Sequence, residues 1–210
     1  MACALRIRWI GSDRCRRCGD AVGQGLGTVD ECASCRTFPP RFVEAASTVA
    51  SYESGPLRDL VLSLKFGRKT HVAWALGDLL ADRIAATNLV QAGIVLIPTP
   101  LTRSGLRERG FNQAEELARR IGSSLKLRVE PRLLKKIRST PPQATLGTEK
   151  RRENLNGAFA CNSRVARRHA GANVLLIDDV ITTGSTISEC ARTLVEAGIG
   201  KVRAAAIARG

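Results

Sequence analysis

Aromatic side chains are scarce in this 210-residue chain: two Trp, one Tyr and five Phe, 4% of the total. A sizeable core is still available, because apolar residues reach 44%, but Ala, Leu, Val and Ile must build it. The same scarcity weakens any reading that depends on stacking the bases of a single nucleic-acid strand. No apolar run approaches the roughly 20 residues of a membrane helix, so insertion by that route is excluded. Met1 to Ile10 carries two arginines and no long apolar stretch, so no secretory leader is expected. There is no internal repeat and no low-complexity tail. Acidic residues are the last shortage: 19 Asp and Glu face 33 Lys and Arg, a net charge of +14. The excess gathers at Arg14-Cys15-Arg16-Arg17, Lys135-Lys136-Ile137-Arg138, Lys150-Arg151-Arg152 and Arg164 to Arg168. Such a balance suits phosphates, whether of a small ligand or of a nucleic-acid backbone. An arginine-rich soluble protein without such a partner would show it too.

Cysteine is plentiful, and its spacing is informative. Seven cysteines, an odd number, argue for a reducing compartment and for metal rather than disulfides, which makes the cytoplasm the expected address. Cys15-Arg16-Arg17-Cys18-Gly19 and Cys32-Ala33-Ser34-Cys35 form a matched pair of CxxC turns. Each turn sets two thiolates on one tetrahedral edge, and four close a structural Zn²⁺ site. The glycine-rich stretch between them could not hold itself together by burial, whereas zinc binding supplies ~10–16 kcal/mol. A redox CxxC is the competing reading, but such motifs rarely come as a matched pair. Residues 1–40 are therefore read as a zinc-ribbon subdomain and 41–210 as the main domain, since the length allows one α/β domain and a small appendage.

In the main domain, Val43 to Tyr52 reads as a first strand, and a helix from Pro56 sets Leu57, Leu60, Val61 and Leu64 on one face. A second helix through about Val72 to Ala86 turns Leu76, Leu79, Leu80 and Ile84 inward. Ile94 to Ile97 is a buried strand broken by Pro98-Thr99-Pro100. Asn112 with Glu115 makes a capping box for a helix through Ile121. Strands at Val174–Ile177 and Val202–Ile207 flank a helix over 186–197, whose Ile187, Cys190, Ala191, Leu194 and Val195 recur at helical spacing. This alternation predicts a parallel α/β sheet with helices on both faces.

Three stretches carry chemistry. In the first, Asp178-Asp179 follows the buried Val174–Ile177 run, and Thr182-Thr183-Gly184-Ser185-Thr186 precedes a helix. Open α/β sheets bind ligands at the carboxyl ends of their strands. A phosphate there meets the orphan N–H groups and positive dipole of the helix, while Gly184 lets the backbone approach and the hydroxyls donate. The two carboxylates can accept from vicinal hydroxyls, so the chemistry asks for a ribose bearing a terminal phosphate. The second stretch joins Thr99 to Arg103, Arg107 and Arg109-Gly110-Phe111-Asn112-Gln113-Ala114. Its arginines could grip a pyrophosphate, or could simply be solvated. The third runs from Arg138 through Gln143 to Arg151 and Asn154, and its length, charge and prolines suit a lid. A lid would exclude water from chemistry at the ribose anomeric carbon.

The acidic-pair loop resembles the 5-phosphoribosyl-1-pyrophosphate (PRPP) loop of type I phosphoribosyltransferases. The chain as a whole resembles the bacterial competence protein F (ComF) family, with a phosphoribosyltransferase-like fold. The resemblance rests on the cysteine ribbon, Leu64-Lys65-Phe66, Arg109 to Ala114, Thr140 to Gln143, Leu146 to Asn154, Gly157-Ala158-Phe159 and the acidic-pair loop. It implies that Asp178 and Asp179 hold the ribose hydroxyls, that Thr182 to Thr186 hold the 5-phosphate, and that Mg²⁺ accompanies PRPP. It also implies a role in DNA uptake or related DNA metabolism. Pro98-Thr99-Pro100 departs from the small glycine-rich turn of the metabolic enzymes, and no base pocket is legible. Two classes of function stay open. One is a Mg²⁺-dependent phosphoribosyltransferase; the other is a non-enzymatic factor binding single-stranded DNA or a helicase-like DNA-processing protein.

Overall fold

The structure, a computed structural model, describes residues 6–37, 39–53, 55–66, 70–139 and 154–210. In chain order its strands begin with β1 (Arg14–Cys15), β2 (Thr28–Val29), β3 (Ala46–Ser51), β4 (Val95–Pro98) and β5 (Arg128–Val129). They continue with β6 (Leu134–Lys136), β7 (Phe159–Cys161), β8 (Val174–Ile181) and β9 (Val202–Arg209). The main sheet has five strands in the order β3-β9-β8-β4-β5, all parallel. From β8 the chain steps to β9 on one side, and from β4 it steps to β5 on the other. The strand order thus reverses between β8 and β4, which opens a crevice at their carboxyl ends.

Alternation along β8 divides the core into two layers. Leu175 and Ile177 pack with Leu64, Leu76, Leu80, Leu117 and Ile121 from the helices Pro56–Phe66, Thr70–Ala86 and Gln113–Leu125. Val174 and Leu176 pack on the other face with Ile187, Cys190 and Leu194 of the helix Ser185–Glu196, and with Leu134 and Phe159 of the antiparallel β6–β7 hairpin. Aliphatic residues and alanine fill both layers, as the composition demands. The row Ala204–Ala206, with no side-chain bulk, lets β9 sit between its neighbours with both faces covered.

Several boundaries differ from the sequence reading. Leu60, Leu79 and Val195 are 39%, 38% and 40% exposed, because each sits at the edge of its helix's apolar stripe and the sheet covers only the stripe's centre. The first strand is shorter than expected, and its outer edge is met by residues 8–10, ahead of the first CxxC turn. There Ile10 donates to the Val49 carbonyl and Ser51 to that of Arg8. The ribbon knuckle docks on the same strand: Thr48 Oγ1 donates to the Gly19 carbonyl at 2.5 Å. Gly19 has φ +76°, and a Cβ there would lie 3.0 Å from Ser47 Cα. Only glycine fits that approach.

Candidate functional site

Strand β8 does not stop at Ile177 as its apolar run suggests. Strand β9 continues beside it, pairing Asp178 with Ala206 and Ile181 with Arg209, so the acidic pair lies inside the strand. On the other side β4 ends at Pro98, opposite Ile177. The carboxylates therefore stand where one neighbour persists and the other falls away, at the mouth of the crevice.

Being consecutive in a strand, they leave it on opposite faces and acquire different partners. Asp179, buried, receives the Lys65 ammonium at 3.1 Å from the end of the Pro56–Phe66 helix. Asp178 takes the backbone N–H of Asp179 at 2.9 Å and a hydrogen bond from the Thr99 side chain. Burial, then the adjacent Asp179 charge, push the Asp178 carboxyl up to about 7, against the pull of Thr99 and of Lys65. Lys136, on β6, approaches Asp178 and Cys190 from the hairpin side with its ammonium 5.6 Å from the Phe159 ring centre, and burial lowers its pKa.

Beyond the acids, Gly184 caps the Ser185–Glu196 helix in the left-handed region, φ +74°. Glycine supplies no side-chain acceptor, and the Ser185 N–H leans on Thr183 Oγ1 at 3.4 Å. Thr183 and Ser185 share a hydroxyl contact of 2.8 Å. Ser185 is buried, Thr183 and Thr186 are partly so, and Thr182 is exposed. The first turn therefore combines helix N-terminal N–H groups with hydroxyls, a setting that suits an anion.

The Arg109 to Ala114 string braces this site. Gly110, φ +82°, ends the helix Arg103–Arg109, and Asn112 caps the next helix by accepting from the Ala114 N–H. The second half of the expected capping box is diverted: Glu115 pairs with Arg119 at 2.5 Å. Asn112 Nδ2 donates to the Thr99 carbonyl at 3.0 Å, and the buried Gln113 donates to the Lys65 carbonyl at 3.4 Å. The string thus fixes the backbones of the two residues that partner the acidic pair. Arg109 bonds Gln113 Oε1 at 3.2 Å. Exposed Arg107, with Arg103, Asn112, Lys135 and Lys136, lines an adjacent cleft of about 670 Å³ between the Pro100–Arg107 segment and β6. Arg138 donates to the Asn154 and Asn156 carbonyls at 2.9 and 2.7 Å, joining the two ends of the candidate lid. Gln143 and Arg151 lie outside the described residues.

The four ribbon sulfurs converge within 4.8 Å of one another. Cys15–Cys35 and Cys18–Cys32 are 3.8 and 3.7 Å apart, and a tetrahedron of Zn–S bonds near 2.3 Å has edges of about 3.8 Å. Burial pushes the Cys18 thiol up to about 11 and Cys35 higher, with neighbouring sulfur charges adding to it. A divalent cation at the centre would reverse that order, so the donor set fits zinc.

A parallel sheet with an acidic pair and a phosphate-ready helix at its switch point defines a phosphoribosyltransferase-like protein. The phosphoribosyl transferase domain family matches residues 104–210. The DNA utilization protein YhgH of Escherichia coli K12 is 32% identical over 175 residues, 82% of this chain and 74% of that protein. Its namesake in Salmonella typhi is 31% identical over 205 residues, 96% and 86% of the two chains. Competence protein F of Haemophilus influenzae is 29% identical over 199 residues, 91% and 84%. The chain belongs to the ComF family of phosphoribosyltransferase-like proteins. Among the described residues no helix is long and apolar enough to cross a membrane.

The sequence reading named the acids, the loop and the cysteines as candidates, and gave Lys65 and Lys136 no part in the site. Both approach the acids from other elements, and only the strand alternation of Asp178 and Asp179 signals that each face needs its own partner.

Proposed function

We propose that this protein binds PRPP with Mg²⁺ and serves DNA uptake or related DNA metabolism from the cytoplasm. The observation that carries the reading is the crevice between β4 and β8, whose mouth holds two carboxylates of unlike character a few residues ahead of the Ser185–Glu196 helix N-terminus. Asp178 and Asp179 accept from the ribose hydroxyls, and the Thr182–Thr186 turn holds the 5-phosphate. Arg107, with Lys136 nearby, meets the pyrophosphate, and Arg109 acts through Gln113. Mg²⁺ suits this oxygen-rich setting and would neutralise pyrophosphate charge. Turnover would break the bond from the anomeric carbon to pyrophosphate and form one to an acceptor, with positioning and charge stabilisation as the protein's contribution. Zn²⁺ on Cys15, Cys18, Cys32 and Cys35 would hold the ribbon. The roles in DNA utilization and competence named for the relatives support the biological setting.

Calorimetric titration with PRPP, with and without Mg²⁺, tests the reading beside the Asp178→Ala/Asp179→Ala double variant. Mg²⁺-dependent binding lost in the variant is expected; a folded wild type that binds nothing overturns it.

A second reading, a non-enzymatic factor for single-stranded DNA or a helicase-like partner, has its own observation. Arg14, Arg16, Arg17 and Arg203 line a cleft of about 810 Å³ between the ribbon and the amino-terminal side of the sheet, where Arg16, Arg17 and Arg203 are ion-paired with Asp30, Glu31 and Glu44. Binding to a single strand that persists unchanged in 0.5 M salt would exclude a simple phosphate-backbone footprint there.

A further inference from the structure

Arg209 ends β9 beside the phosphate loop and is 10% exposed. Its Nη1 donates to the Ile181 carbonyl at 3.0 Å and also to the Thr182 carbonyl, the two groups at which β8 turns into the loop. Its Nε is buried, has no hydrogen-bond partner among the described residues, and faces Asp20 Oδ2 at 3.9 Å. Asp20 belongs to the ribbon knuckle: its carbonyl accepts the Cys15 N–H at 2.8 Å, and its own N–H reaches the Cys18 sulfur. One guanidinium therefore touches the cysteine cluster's knuckle at one end and the loop's backbone at the other. Linker residues make a second contact of the same kind. The Arg41 N–H donates to Ser188 Oγ at 3.0 Å, and Pro40 lies 3.8 Å from where a Gly184 Cβ would stand.

We propose that Arg209 is a positioning residue that couples the metal-bound state of the ribbon to the phosphate loop. Zinc fixes the Cys15–Asp20 knuckle; the knuckle fixes Asp20; Asp20 aims the guanidinium; and the guanidinium holds the Ile181 and Thr182 carbonyls so that the following N–H groups converge on the anion. Loss of zinc releases Asp20, and the loop loses one of its outside constraints. Donors of a fixed planar fork suit the task better than a lysine ammonium, because two carbonyls and a carboxylate must be met at once. The coupling acts on phosphoribosyl binding and so rests on the reading above, but the loop's order can be measured without any ligand.

The experiment compares wild type with Arg209→Gln, each zinc-loaded and chelator-stripped. PRPP affinity is read with Mg²⁺ present, and amide hydrogen exchange at Thr182–Ser185 is read without ligand. In the wild type, stripping lowers PRPP affinity about tenfold and speeds loop exchange. Zinc-loaded Arg209→Gln already shows both effects with full zinc content, and stripping adds little more, because the two changes cut one path. Losses that add in full overturn the coupling, as does a variant that behaves like wild type. Asp20→Asn, kept zinc-loaded, covers the case in which stripped protein unfolds: its loop must also exchange faster, and unchanged exchange overturns the proposal. Arg209→Lys restores part of the affinity. Should the wild type bind no PRPP in either zinc state, the phosphoribosyl reading falls, and the exchange data alone decide the strut.

Discussion

The Lys65 ammonium lies 3.1 Å from Asp179 Oδ2, with only 21% and 11% of the two side chains exposed, and this contact makes two adjacent carboxylates unlike. Two acids side by side in a buried strand would repel, and both would resist ionisation. Because β8 sends them to opposite faces, one receives a cation and the other a hydroxyl and an N–H. The crevice then presents an ion-paired carboxylate beside one poised near neutrality.

Removing the cation tests that division. Lys65→Met leaves Asp179 buried beside Asp178 without its counter-charge, so stability at pH 8 should fall by ~1–3 kcal/mol. Denaturant melts of wild type, Lys65→Met and Lys65→Arg make the comparison, since the arginine keeps the positive charge. Equal losses in the two variants would mean that the Lys65 charge contributes nothing.

The raised Asp178 carboxyl gives a pH dependence. Its proton is held more tightly in the folded chain than in the unfolded one. The stability it contributes is complete below the ordinary carboxylate value and is lost as pH rises through about 7. The ligand-free protein should therefore melt lower at pH 8 than at pH 5.5, with Asp178→Asn flattening the difference. Phosphoribosyl affinity should move oppositely, since the ionised carboxylate is the stronger acceptor for a ribose hydroxyl. Ribose 5-phosphate titrated across pH 6–8 into wild type and Asp178→Asn separates this effect from titration of the phosphate itself. Parallel curves would remove Asp178 from the ligand.

How much of this was legible follows from how local each signal is. The buried run, the acid pair, the hydroxyl-glycine turn and the CxxC pairs lie within short windows; the fold draws the four cysteines together and sets the acid pair and the turn at the carboxyl end of β8. The strand's true end was not legible, because it depends on β9 continuing alongside rather than on β8's own residues. Lys65 entered the sequence reading within Leu64-Lys65-Phe66, with no role in the site; its carboxylate partner depends on where the Pro56–Phe66 helix ends over the sheet. In sequence Arg109 was a pyrophosphate candidate and Asn112 a helix cap, while Gln113 had no role. In the fold, Asn112 and Gln113 hold the Thr99 and Lys65 backbones, an arrangement that no spacing rule encodes.

The cysteine cluster predicts one zinc per chain. Cys18→Ser should abolish stoichiometric zinc, measured by colorimetric release on denaturation, and should make the Gly23–Gly27 stretch sensitive to protease. Cys161→Ser should keep its zinc, because that sulfur donates to the Thr193 carbonyl at 3.4 Å and has no part in the cluster. Retained zinc in Cys18→Ser would point to a different ligand set.

The phosphate and pyrophosphate contacts can be separated with two probes and two variants. Gly184→Ala introduces a side chain with room around it, since its Cβ would lie 3.8 Å from the nearest Pro40 atom, but φ +74° strains it by about 1 kcal/mol. Relief of that strain would turn the loop's N–H groups from the anion. Ribose 5-phosphate and PRPP should then weaken together, each roughly fivefold. Arg107→Ala leaves the loop untouched and removes a cation from the cleft beside it. PRPP should weaken by roughly tenfold while ribose 5-phosphate binds as before, because only PRPP carries the second anionic group. If Arg107→Ala weakens both probes equally, the cleft does not hold pyrophosphate. The arginine would then act on the site only through its general field, an effect that 0.3 M salt should erase.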